Sequence, residues 1–342
     1  MEAVAVMEAP PSPAGSPEEF AEQLCRLDAS AYGKERCDQI AALHREISIL
    51  KRKRNAVILA HNYQRPEIFP VADFIGDSLE LARKATTVEA DVIVFCGVHF
   101  MAETAKILNP IKTVLLPNLG AGCSLADSVT AESLRERRQE LVRLYPDLAV
   151  VSYVNTTAEV KAESDVCCTS ANAVDIVERL PNRNILFTPD ENLAGYVQSH
   201  TDKNIIAWNG NCYVHHQIRP EHILEIKQAL PHIEVIVHPE CRADVIALAD
   251  AVLSTSGMIQ HARKSAAREF LVVTECGLSD RLLLEIPEKK FYKACKLCQY
   301  MKMITLEETS AALSEVRYPI TVEEHVRSRA ERAIQRMFEL GS

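Results

Sequence analysis

Three segments of this chain keep one spacing: His61 to Ser78, Tyr153 to Ser170 and His238 to Thr255 are each 17 residues apart. The first member of each pair ends, or nearly ends, an apolar run rich in β-branched residues: AVILAHNYQ (56–64), AVVSYVNTT (149–157) and IEVIVHPEC (233–241). The second follows a short run: DFIGDS, DVCCTS or DAVLSTS. A helical pattern comes next, then a third run (DVIVFCGV, NILFTPD, EFLVVTECG), another helix, and a fourth run (KTVLLPN, KNIIAWNG, KKFYKA). Strands alternating with helices predict parallel sheets covered on both faces, and the repetition predicts that the unit occurs three times. The fold class is therefore α/β, with three similar small parallel-sheet αβα domains in pseudo-threefold arrangement around a central site. The boundaries read as a disordered tail and N-terminal helical region over 1–54, repeats over 55–146, 147–231 and 232–308, and a C-terminal helical extension over 309–342. One amphipathic helix is expected over about 17–53 and another over about 321–340. The tail is the Pro/Ser/Gly stretch from Pro10 to Pro17.

Ligands of such sheets bind beyond the carboxyl ends of the strands. The out-of-place polar residues of this chain sit there, and so do several of its eleven cysteines. Each fourth run is followed by one: Cys123 in LPNLGAGCSLADS, Cys212 in WNGNCYVHH, and Cys295 with Cys298 in FYKACKLCQYMKM. Counted from the hydroxyl residue of each repeat, Cys123, Cys212 and Cys298 lie at 45, 42 and 43 residues. Three equivalent thiolates meeting on an axis would hold one face of an iron–sulfur cluster, or three corners of a zinc site. A C-x-x-C pair is itself a metal or redox signature, but only one member of 295/298 has a counterpart in the other repeats. Cys96 and Cys276 at strand ends, and Cys167 and Cys168 within a strand, read as core residues. Cys25 and Cys37 read as incidental.

The first twenty residues carry neither a basic n-region nor a continuous apolar h-region, so no secretory signal is expected. No apolar run is long enough to span a bilayer. A cytoplasmic setting follows as the expectation, with thiols kept reduced and no disulfide framework. The net charge of −9 argues against a nucleic-acid partner, and the basic run Lys51–Arg54 reads as a solvated helix end.

HNYQ with GDSLELA, SYVNT with CTSANA, WNGNC-x-x-H, HPEC with STSGM, TECGL, and C-x-x-MKM together resemble the bacterial-type quinolinate synthase (quinolinate synthase A) family. The match runs from about Asn55 to about Leu313, and its specificity lies in the order and spacing of six motifs. The resemblance implies an enzyme of NAD biosynthesis that condenses iminoaspartate with dihydroxyacetone phosphate to quinolinate, releasing phosphate and two waters. It implies a [4Fe–4S] cluster held by Cys123, Cys212 and Cys298, with one iron open. It implies substrate contacts at His61, Tyr63, Ser78, Tyr153, Asn155, Ser170, His215, His238, Glu240 and Thr255, and a pathway link to an aspartate-oxidising enzyme. Cys295 occurs in only part of the family.

The chemistry gives these residue types work to do. Glu240 reads as general base or acid, with His238, Tyr63 and His61 assisting. An open iron is a Lewis acid that promotes dehydration. Both substrates are anionic in an acidic protein, so positive potential has to come from backbone. Ser78, Ser170 and Thr255 read as N-caps. Three helix N-termini, each roughly +0.5 charge, would suit a phosphate. Two rival readings are another Fe–S hydro-lyase acting on a small acid and a non-enzymatic Fe–S redox sensor using Cys295 and Cys298.

Overall fold

The computed structural model describes residues 16–341 apart from Ala29. Most of the expected tail over Pro10–Pro17 lies outside the described residues. The chain forms three four-stranded sheets, all parallel and with one strand order. Strands β1 (Ala56–His61), β2 (Phe74–Gly76), β3 (Val92–Cys96) and β4 (Thr113–Leu115) run in the order 2-1-3-4. Strands β5 (Ala149–Tyr153), β6 (Val166–Cys168), β7 (Asn184–Thr188) and β8 (Asn204–Ala207) repeat it as 6-5-7-8. Strands β9 (Glu234–Val237), β10 (Ala251–Val252), β11 (Glu269–Val273) and β12 (Lys290–Lys293) repeat it as 10-9-11-12. The first and third strand of each repeat are therefore central. Their middles (Ile58, Val94, Val151, Phe187, Ile236, Val272) are fully buried, as a sheet covered on both faces requires.

One device recurs where each second strand begins. Asp73, Asp165 and Asp250 each accept the backbone N–H of the residue 15 positions earlier through Oδ2, at 2.7, 2.8 and 2.8 Å. Each returns its own N–H to the carbonyl of that same residue, at 2.9, 3.0 and 2.8 Å. The aspartate thus extends the short parallel ladder by one rung and sets the register of Ile58, Val150 and Val235 against it. This is the initial Asp of DFIGDS, DVCCTS and DAVLSTS.

The N-terminal region is two helices rather than one, Pro17–Leu27 and Lys34–Arg54. Asp28 stops the first: its Oδ1 accepts from the N–H groups of Ser30 and Ala31 at 2.9 and 3.1 Å, a local turn that competes with helix. Cys25 and Cys37 are not incidental; they form a disulfide between the two helices. The C-terminal helix Glu324–Leu340 buries Ala330, Ala333, Ile334 and Met337. No described helix is long and apolar enough to cross a membrane.

Candidate active site and metal centre

The carboxyl ends of the three first strands converge on one cavity with about 390 Å³ of empty space. His61 and Tyr63 line it from β1, Tyr153 and Asn155 from β5, and His238 and Glu240 from β9. Ser78, Ser170 and Thr255 complete the set. His215, the remaining expected contact, is buried behind Glu240, with its Nδ1 3.1 Å from Glu240 Oε2. Asp77, Phe100, Met101, Thr169 and Met301 also form the wall and had not been anticipated.

Local backbone geometry orients the histidines. The Tyr63 N–H donates to His61 Nδ1 at 3.2 Å, and the Glu240 N–H donates to His238 Nδ1 at 3.4 Å. An accepting Nδ1 leaves the proton on Nε2. Burial, with Arg281 and Lys302 nearby, pushes His61 down to about 3, and burial lowers His238 as well. His61 is therefore neutral near pH 7 and carries a donor on Nε2.

Glu240 is buried, which by itself would raise its pKa, but His215 and His238 hold it well below the usual carboxylate range. Its Oε2 lies 3.1 Å from His215 Nδ1 and 3.2 Å from His238 Nδ1, and the two rings stack at 4.6 Å. The His215 approach is close but not aligned as a hydrogen bond. Glu240 Oε1 is buried with no partner. Behind this pair, Thr274 Oγ1 lies 2.9 Å from His215 Nε2 and 2.6 Å from the Tyr63 hydroxyl. Burial and then Glu240 push the phenols of Tyr63 and Tyr153 far up, so both are neutral donors.

The N-cap expectation fails by one position. Asp77 caps the helix Ser78–Thr87, and Ser254 caps the helix Thr255–Lys264, accepting from Gly257 N–H at 3.2 Å. Ser78 and Thr255 are first-turn residues, so their hydroxyls are released from capping. Ser170 sits in a turn ahead of the short helix Ala173–Arg179, whose cap position is Asn172. Each sequence had two polar residues side by side (Asp–Ser, Thr–Ser, Ser–Thr), and spacing alone does not choose between them.

Cys123, Cys212 and Cys298 occupy matching loops. In each repeat the first N–H of the helix after the third strand donates to the carbonyl two residues before the cysteine. These bonds are His99 to Ala121, Glu191 to Gly210 and Cys276 to Lys296, at 2.8, 2.7 and 3.2 Å. The backbone N–H groups of Ala126, His215 and Met301, each three residues later, favour the thiolate form of the corresponding cysteine. Asp190 and Glu275, at the helix caps, hold the N–H groups of Cys212 and Cys298, each at 3.0 Å. The first repeat has Val98 at that place. Both acids stood in plain view as FTPD and VTEC, but their role depends on a loop that folds back from the next strand.

That same contact accounts for Cys295. The loop residue at 296 is pinned to the helix start at 276, and the third repeat carries a cysteine on each side. Cys276 and Cys295 form a disulfide with Cα atoms 5.1 Å apart. The expectation of reduced thiols throughout is therefore overturned here and at Cys25–Cys37, and Cys276 is not simply a core residue. Cys123, Cys212 and Cys298 are free and half-buried. Burial pushes Cys123 up to about 12 and raises the other two. Three equivalent thiols that are reluctant to ionise alone, each with a backbone donor that favours the thiolate, suit a cationic metal centre. The donors fit an iron–sulfur cluster with three protein ligands. Cys212, His215 and Glu240 also bring their donor atoms within 4.8 Å of one another.

A family model described as quinolinate synthetase A protein matches residues 45–339. The chain belongs to that family. It is 56% identical to the quinolinate synthase of Thermodesulfovibrio yellowstonii, over 86% of this chain and 97% of that one. The quinolinate synthase of Desulforudis audaxviator is 54% identical over the same shares. That of the archaeon Methanosarcina barkeri is 51% identical, over 87% of this chain and 98% of its own. The family is one of enzymes, and the α/β architecture in three repeats agrees with the resemblance seen in the motifs. Thr274, Asp190, Glu275 and Lys302 stood within quoted stretches (TECGL, NILFTPD and C-x-x-MKM), but the sequence reading gave them no role. Lys302 Nζ contacts Glu275 Oε1 at 3.1 Å and also donates to the Tyr63 carbonyl, tying a cluster loop to the β1 end.

Proposed function

We propose that this chain makes quinolinate from iminoaspartate and dihydroxyacetone phosphate, releasing phosphate and two waters, in the cytoplasm and as a step of NAD biosynthesis. The observation that carries the reading is a cavity lined by polar residues from all three repeats, with three equivalent free cysteines in matching loops and Cys212 beside Glu240 of its wall. The overall reaction balances in atoms and electrons without an oxidant or reductant, so it calls for acid–base and Lewis-acid chemistry. When bound, a [4Fe–4S] cluster on Cys123, Cys212 and Cys298 supplies an open iron that polarises a carboxylate, imine or hydroxyl and favours loss of water.

The chain's own residues do the rest. Glu240 Oε1 is the atom available to take a proton, and His215 and His238 keep that carboxylate ionised between turnovers. His61 presents an Nε2 donor, and Tyr63 and Tyr153 present phenol donors, for substrate oxygens. The phosphate is placed at Ser78, Ser170 and Thr255. Two ten-residue helices start at the first and third of these, together worth about one positive charge, not the three half-charges expected from sequence. The iminoaspartate is supplied by an aspartate-oxidising enzyme.

The test is an anaerobic assay of iron-loaded protein with iminoaspartate generated in place, measuring quinolinate and phosphate. Equal amounts of the two products are expected, and iron-loaded protein that forms neither would overturn the proposal. A hydro-lyase would instead dehydrate a small hydroxy acid without the phosphorylated partner, and a sensor would turn over nothing. In the same preparations Cys123→Ala, Cys212→Ala and Cys298→Ala should each lose most iron and sulfide, while Cys295→Ala should retain them. Full iron in Cys212→Ala would remove it from the ligand set.

A further inference from the structure

Asn62 lies between two of the expected contact residues, His61 and Tyr63, and is fully buried. Its Nδ2 donates to Thr255 Oγ1 at 2.7 Å and to Ser256 Oγ at 3.1 Å, across from the first repeat to the third. Its Oδ1 accepts from Arg281 Nη1. Arg281 is buried too, and its Nε is fixed on Glu285 Oε1 at 2.6 Å. A guanidinium only donates, so the amide cannot turn over without setting two donors against each other. Arg281 therefore fixes the direction of the Asn62 amide, and the amide fixes the direction of what it touches.

The consequence differs along Ser254, Thr255 and Ser256. Ser254 accepts from Gly257 N–H and donates to Asp77 Oδ2 at 3.0 Å. Ser256 accepts from Asp77 N–H at 3.1 Å and from Asn62, and donates to Glu80. Both hydroxyl hydrogens are used. Thr255 accepts from Asn62, and among the described residues its own hydrogen has no acceptor. It is also the member of the three that lines the cavity.

We infer that Asn62, held by Arg281, is a positioning residue that commits the Thr255 hydroxyl to donate into the cavity. That subsite then favours an acceptor-only group, the terminal oxygen of a phosphate, which takes the hydrogen that Asn62 leaves free. The inference rests on the placement of phosphate at Thr255 and adds what selects it.

The experiment measures binding of inorganic phosphate to anaerobic holoprotein by calorimetry, with the KM of each substrate alongside. Asn62→Asp keeps the shape but offers Thr255 an acceptor, so the hydroxyl turns away. Phosphate affinity should fall about tenfold or more, as expected for a hydrogen bond to a charged group, and the KM for dihydroxyacetone phosphate should rise alike with little change in kcat. The added charge alone would also weaken phosphate, so the same change is made in Thr255→Val. If Asn62 acts through the hydroxyl, the two losses overlap and the second change adds little. Fully additive losses would overturn the inference. An unchanged phosphate affinity in Thr255→Val would instead overturn the phosphate placement itself. Should Asn62→Asp fail to fold, Arg281→Met frees the amide to turn, and the same overlap with Thr255→Val is expected.

Discussion

Glu240 has two oxygens with different surroundings: Oε2 is flanked by two imidazoles and Oε1 is buried without a partner. An ionised carboxylate with one oxygen unclaimed suits a proton acceptor facing a bound substrate. Glu240→Gln keeps the shape and removes the charge. It should lower kcat by about 10²–10⁴-fold while the visible absorbance and iron content of the holoprotein stay unchanged, as measured on one preparation. A variant with near-normal kcat would take Glu240 out of the mechanism. At this scale His61, Tyr63, Tyr153, Asn155, His238 and Glu240 were legible as cavity residues, because each stands at or just beyond a strand end where a polar side chain has no packing role. Thr274 was not: one hydroxyl after VV reads as an ordinary strand terminus, and only tertiary contact sets it between Tyr63 and His215. Asn62 was quoted within HNYQ, but its side chain points away from the cavity chemistry and toward Arg281, 219 residues further along the chain.

The elements were read from periodicity, and the twelve strands fall where the apolar runs predicted. Their regularity has a cause that the run pattern did not expose. Asp73, Asp165 and Asp250 each lock the start of a second strand that is only two or three residues long. Such a short ladder has few backbone bonds of its own, so a side-chain rung is a large share of its order. Asp250→Ala should lower stability by about 1–2 kcal/mol, read as a lower urea midpoint with an unchanged slope. Asp250→Asn, which keeps an acceptor, should recover much of it. No loss in the alanine variant would mean that β10 is held by packing alone. Where the element reading failed, local side-chain chemistry prevailed over pattern: Asp28 breaks a helix that the apolar spacing would have continued, and Asp77 takes the cap that Ser78 was expected to fill.

Across the whole molecule, burying histidines at the junction of the repeats leaves a trace in stability. His61 titrates at about 3 in the folded chain, through burial first and neighbouring positive charge second. The unfolded value is about 6.5. The unfolded chain therefore binds the extra proton between these values, so His61's contribution is complete above about pH 6.5 and is lost as pH falls toward 3. His238, also lowered, adds a loss of the same sign. Asp77, raised to about 6 by burial and Glu80, works the other way below that pH. His61→Asn isolates one member. Between pH 7 and pH 5 the parent should lose about 2 kcal/mol more than the variant, measured by denaturant unfolding at both pH values, and parallel losses would show that His61 is not held neutral.

The threefold plan described above is kept at some positions and abandoned at others, and under the proposed function the division follows the shape of what would be held. A cube of iron and sulfide seen down one corner has three equal faces, and a phosphate ester ends in three equal oxygens. Cysteine appears three times and a hydroxyl three times, each once per repeat. The substrate to be closed into a ring has no such symmetry. Where its distinct ends must be told apart, the three strand tips diverge into His–Asn–Tyr, Tyr–Val–Asn and His–Pro–Glu. On this view, exchanging one tip for another should leave the fold and the metal centre standing and destroy only the ability to tell one end of the substrate from the other.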